Sequence, residues 1–99
     1  MQHTRVATYE IVADTFEQIG AAAFAPGGMV DAFRAAPGFV SYSLADLGDG
    51  TFLSISVWDS RLAAEAAVPT ARLWVADHLG DKVTLRSNLV GDIGFAAAA

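Results

Sequence analysis

The sequence predicts an α+β domain of the ferredoxin-like type, ordered β-α-β-β-α-β, with a four-stranded antiparallel sheet and its helices on one face. Segment 52–58 alternates cleanly, with Leu53, Ile55 and Val57 on one side and Ser54, Ser56 and Trp58 on the other. Asp49-Gly50, just before it, is a tight-turn pair that joins two strands in a hairpin. Each flank of the hairpin carries a segment of helical periodicity interrupted by proline.

Val6 to Val12 reads as the first strand, rich in β-branched and aromatic residues. Asp14-Thr15-Phe16-Glu17 then has the form of a capping box, with Asp14 accepting and Glu17 three residues on. Phe16, Ile19 and Ala23 recur at helical spacing until Pro26-Gly27-Gly28 interrupts them. Met29, Val30 and Phe33 share the face of a shorter helical piece, which Ala36-Pro37-Gly38 closes. Phe39 to Leu47 is the second strand, and Phe52 to Trp58 the third. Asp59-Ser60 supplies an N-cap for a second helix from Arg61. Val68-Pro69-Thr70 is expected to interrupt that helix, with Thr70 capping its continuation through His78. Gly80 is placed as the stop, and Val83 to Val90 gives the fourth strand. Residues 1–95 form a single domain, and 96–99 are expected to be a disordered alanine tail.

Composition removes several classes of function. A chain of 99 residues that is 54% hydrophobic and 17% charged folds rather than staying disordered. With no cysteine there is no disulfide scaffold, thiolate nucleophile or zinc finger. A net charge of −5 repels a phosphate backbone, so no nucleic-acid partner is expected. No apolar run approaches the roughly 18–20 residues that span a bilayer, so no membrane partner is expected either. Met1-Gln2-His3-Thr4-Arg5 leads into a strand with no signal-peptide core, which makes the cytoplasm the expected location. His3 has no second ligand at metal spacing, and phosphate-loop and dinucleotide motifs are absent. No metal and no cofactor are expected.

Helices cover only one side of the sheet. The Leu53, Ile55 and Val57 side would then be a sizeable apolar surface in water, which monomers rarely keep. A homodimer packed sheet against sheet is the expectation.

Two motifs carry a family resemblance. Phe33-Arg34-Ala35-Ala36-Pro37-Gly38-Phe39 resembles a Pro-Gly-Phe lead into strand two. Asp49-Gly50 followed by Ser54-Ile55-Ser56-Val57-Trp58-Asp59-Ser60 resembles a strand-three Trp-Asp-Ser signature. Over roughly residues 6–90 the chain is similar to the antibiotic biosynthesis monooxygenase (ABM) superfamily of dimeric α+β barrels. That resemblance implies two four-stranded sheets closing an eight-stranded barrel, with a ligand cleft in each subunit between helices and sheet. It implies cofactor-independent oxygenation of phenolic compounds, quinol oxidation or haem breakdown among its activities, with cyclases and isomerases in the wider fold group. By the resemblance Trp58 lines the cleft, while Ser54 stands where the polyketide oxygenases carry Asn, and Ala64 where they carry Tyr. The haem-degrading pattern is not met: strand one lacks Asn, Ala67 falls at the Trp position, and His78 is one residue out of register.

Among single residues, His78 is the one histidine in the body of the domain, four residues after Trp74 on the same helical face. It is either a general base for a phenol or acidic C–H, or a solvated histidine favoured by the helix dipole. Trp58 and Trp74 either wall an aromatic pocket or pack as core. Tyr42 either donates to a ligand oxygen or packs in the sheet. Ser54 and Ser56 lie on the covered side, where buried hydroxyls need partners. Glu10 is a second acid/base candidate of ambiguous strand parity. The expected activity is cofactor-free oxidation of a small aromatic ligand, with His78 as base and Tyr42, Ser54, Trp58 and Trp74 holding substrate. The alternatives are a cyclase or isomerase in the same cleft, or a dimer that binds a small molecule without turnover.

Overall fold

The computed structural model describes residues 1–99. Its elements are β1 (His3–Ile11), α1 (Phe16–Phe24), α2 (Met29–Arg34), β2 (Phe39–Asp46), β3 (Thr51–Trp58), α3 (Arg61–His78), a 3-10 turn (Gly80–Lys82) and β4 (Val83–Asp92). The strands form one antiparallel sheet in the order β2-β3-β1-β4. This is the ferredoxin-like arrangement.

Strand parity sets what meets the helices. Arg5, Ala7 and Tyr9 of β1 and Phe52, Ser54, Ser56 and Trp58 of β3 are buried, while every residue between them is partly exposed. Ile19 and Ala23 of α1, Met29 and Phe33 of α2, and Ala64, Ala67, Ala71 and Trp74 of α3 complete this core. Alanine on the inner face of α3 lets the helix lie close to the sheet.

Three local readings need correction. The N-cap of α1 is Thr15, whose hydroxyl accepts from the Gln18 amide, while the Gln18 side chain accepts from the Thr15 amide. Asp14 instead takes a left-handed turn at φ 75°. The box therefore sits one residue later than its acidic residues suggest.

Second, α3 runs unbroken through Pro69. The carbonyl that loses its donor belongs to Glu65, and both residues are exposed, so water serves it. Thr70 is not a cap: its hydroxyl donates back to Ala66 O at 3.3 Å. Third, β1 begins at His3, ahead of the apolar pattern. Opposite it β4 carries a bulge, because Thr8 faces Ser87 and Tyr9 faces Leu85, leaving Arg86 as the extra residue.

Candidate functional site

Between α1, α2, α3 and the sheet lies a cavity lined by Tyr9, Tyr42, Ser54 and Trp74 together with Ile19, Ala23, Met29, Leu44, Phe52, Val75 and Leu79. Its unfilled volume is about 10 Å³, room for roughly one water. The walls are packed rings: Tyr9 stacks on Phe52 at 5.2 Å, and Phe24 leans on Tyr42 at 5.8 Å. A flat ligand does not fit this volume without displacing part of the wall. Only one polar contact ties the α1–α2 corner to α3, from Trp74 Nε1 to Gly27 O at 3.3 Å.

Polar groups are few and placed on the sheet side. Tyr42 Oη and Ser54 Oγ share a hydrogen bond of 2.9 Å. Burial pushes the Tyr42 phenol up to about 12, outweighing the Ser54 bond that lowers it. At neutral pH this hydroxyl is a donor, not a base. Ser56 Oγ accepts from Trp58 Nε1 at 2.9 Å.

The expected site residues thus divide. Tyr42, Ser54 and Trp74 come together around one cavity. Trp58 does not line it: the ring is 1% exposed and packs edge-on against Phe33 and Phe39 at 5.3 and 5.4 Å. His78 is exposed and stacks on Trp74 at 4.7 Å, with Nδ1 donating to Trp74 O at 3.0 Å. A residue turns about 100° in a helix, so His78 projects between the directions of Trp74 and Val75 at the open end of α3. It sits at the rim. Glu10 points to the opposite face of the sheet, paired with Arg86.

Arg5 was not legible as a site residue. Its side chain is fully buried on the helix side, Nε donating to Asn88 Oδ1 at 2.8 Å and Nη2 to Tyr9 Oη at 3.3 Å. The signal in the sequence was the odd-numbered set Arg5, Ala7, Tyr9, which shares one strand face.

A second depression of about 340 Å³ lies outside, between α3 and the Ala36-Pro37-Gly38 turn. Ser60 Oγ accepts from Ala63 N at the α3 N-cap, Thr70 donates to Ala66 O, and the Asp59 carboxylate beside them is exposed. The inner cavity brings two tyrosines and a serine to an otherwise apolar space between helices and sheet.

No protein-family model matches the sequence, and no curated protein matches it either. Solved structures do match in shape. SnoaB of Streptomyces nogalater, a cofactor-independent oxygenase, superposes in a mutant form with a TM-score of 0.65 at 20% identity, covering 96% of this chain and 95% of that one. A Nitrosomonas europaea protein named for antibiotic biosynthesis monooxygenases gives a TM-score of 0.65 at 14% identity over 91% and 88% of the two chains. A Bacillus cereus protein named likewise gives 0.64 at 15% identity over 100% and 97%. The chain has the fold of the antibiotic biosynthesis monooxygenases.

Proposed function

We propose that the protein is a cofactor-independent monooxygenase that oxidises a small phenolic or quinol-type compound in the inner cavity. The observation that carries this reading is the meeting of Tyr42, Ser54 and Trp74 in an apolar cavity between helices and sheet, in a fold shared with a cofactor-independent oxygenase. Apolar walls suit a flat aromatic body, and the hydroxyls suit one oxygen of it. For a methylene made acidic by a neighbouring phenol or carbonyl, loss of a proton gives a carbanion that supplies the electrons itself. The balanced change is CH₂ + O₂ → C=O + H₂O.

His78, stacked on the wall residue Trp74, is the proposed proton acceptor. Because Nδ1–H is held by Trp74 O, the neutral ring presents its lone pair on Nε2. Trp58 packs on Phe33, which packs on Tyr42, so it supports the wall from behind rather than touching substrate. We include in the proposal a homodimer, packed through the sheet face the helices leave open, and a cytoplasmic setting. No helix is long and apolar enough to cross a membrane.

Oxygen uptake with a panel of anthrone-like phenols and quinols tests the activity. His78→Ala is expected to slow uptake by about 100-fold, the lower end of what a positioned acid or base contributes. Unchanged uptake in that variant would remove His78 as the base. Tight binding without oxygen uptake or isomerisation would favour a binding protein, the reading that the small resting volume supports.

A further inference from the structure

Arg5 carries a positive charge into the core and meets no negative one. It is fully buried, yet it takes part in none of the ion pairs of the chain. Its Nη1 is the one buried side-chain nitrogen or oxygen with no hydrogen-bond partner. A buried charge with no counter-charge is destabilising, which makes its retention here call for a partner.

Counting protons around it shows a common pattern. Tyr9 Oη accepts from Arg5, and its own proton goes to no acceptor. Ser56 lies directly across from Arg5 in the sheet and accepts from Trp58, so its proton is likewise uncommitted. The Tyr42–Ser54 pair holds two hydroxyl protons and makes one mutual bond. Tyr9, Tyr42 and Ser54 line the cavity, and Arg5 stands behind Tyr9, so this wall is rich in donors, short of acceptors and backed by a positive charge. The Tyr42 phenol, pushed up to about 12, adds a donor that stays protonated.

We infer that Arg5, acting through the Tyr9 hydroxyl it holds, supplies the positive charge that favours an anionic ligand oxygen, so that the cavity takes its ligand as a phenolate or enolate and discriminates against neutral compounds of the same shape. Tyr9, which both lines the cavity and holds the guanidinium, connects the charge to the ligand space. The inference rests on the proposed use of this cavity, and it names the ionisation state the ligand must have.

The test is made at equilibrium under argon with 4-nitrophenol, whose anion alone is yellow, and 4-nitroanisole, the same ring without an ionisable proton. The wild type is expected to prefer the phenol by about 10- to 100-fold, the worth of a charge-assisted hydrogen bond. The bound phenol is expected to turn yellow at lower pH than the free one. Arg5→Met is expected to lose this preference while melting at higher temperature, because it removes a charge with no counter-charge. Arg5→Lys should retain part of the preference. Equal affinity for the two probes, a preference that survives in Arg5→Met, or a lower melting temperature for that variant would each overturn the assignment. If Arg5→Met does not fold, the wild-type colour change decides: a bound phenol that ionises no earlier than the free one overturns it. Oxygen takes no part, so a wild type that binds phenolate without ever consuming oxygen would sink the oxygenase reading and leave Arg5's role standing.

Discussion

Tyr42 shows how one residue couples the core to the cavity. The unfolded phenol ionises near 10.0, and the folded one near 12 because burial disfavours the phenolate. Between these values the unfolded chain sheds a proton that the native chain keeps. Stability is thus fully present below pH 10 and falls as the pH rises to 12. Urea midpoints measured across that range should decline in the wild type and decline less in Tyr42→Phe. Equal slopes would mean the phenol is not buried as described. Tyr42, Ser54 and Trp74 were legible because they occupy clear strand and helix faces. Arg5 and Tyr9 were not, for a physical reason. The covered set on β1 is Arg5, Ala7, Tyr9 and the uncovered set is Val6, Thr8, Glu10, so hydrophobic alternation cannot separate them. Only the register against β3, where Tyr9 meets Phe52, settles the parity.

At the scale of elements, the α1–α2 corner closes one side of the cavity, with Ile19, Ala23 and Met29 in its wall. Gly27 has φ +78° with open space around its missing side chain, whereas a Cβ on Gly28 would lie 2.3 Å from Ala23 O. The two glycines therefore do different things. Gly27→Ala is expected to cost about 1 kcal/mol, the strain of a left-handed residue. Gly28→Ala drives α2 against the end of α1 and should cost about 2–3 kcal/mol, the upper range for overpacking. Urea unfolding of both variants checks the ranking, and a reversed order would mean the corner already yields. The proline and glycine punctuation made this corner readable from sequence. The same reasoning failed at Pro69, since a proline on the exposed side of a helix packed through Ala64, Ala67, Ala71 and Trp74 loses one bond and keeps all its burial. It failed by one residue at the α1 cap, where Asp14 and Thr15 both head suitable spacings and only the backbone turn at Asp14 chooses between them.

For the whole molecule, the sheet has two faces and the chain covers one. Val6, Leu53, Ile55 and Val57 stand partly exposed on the other, with Leu89 at 66% exposure beside them. Val6 lies between Ile55 and Leu89 across the strands, so these side chains form one continuous patch. Such a patch favours association, and a second copy offers an identical apolar surface that is complementary by a two-fold axis. Light scattering should therefore give twice the chain mass of 10.3 kDa. Ile55→Asp, which buries a charge in the middle of that contact, should return the mass to 10.3 kDa while the circular dichroism of the folded chain persists. A wild type that stays at the single-chain mass at high concentration would remove the dimer. A dimer indifferent to Ile55→Asp would move the interface elsewhere, first to the outer side of α3, where Leu62 and Leu73 are 77% and 66% exposed. The cavity lies on the helix side of the sheet, so Arg5 and its donors remain within one chain whichever surface pairs. Phenolate binding should then survive in the monomeric variant, which separates what the dimer holds together from what the site does.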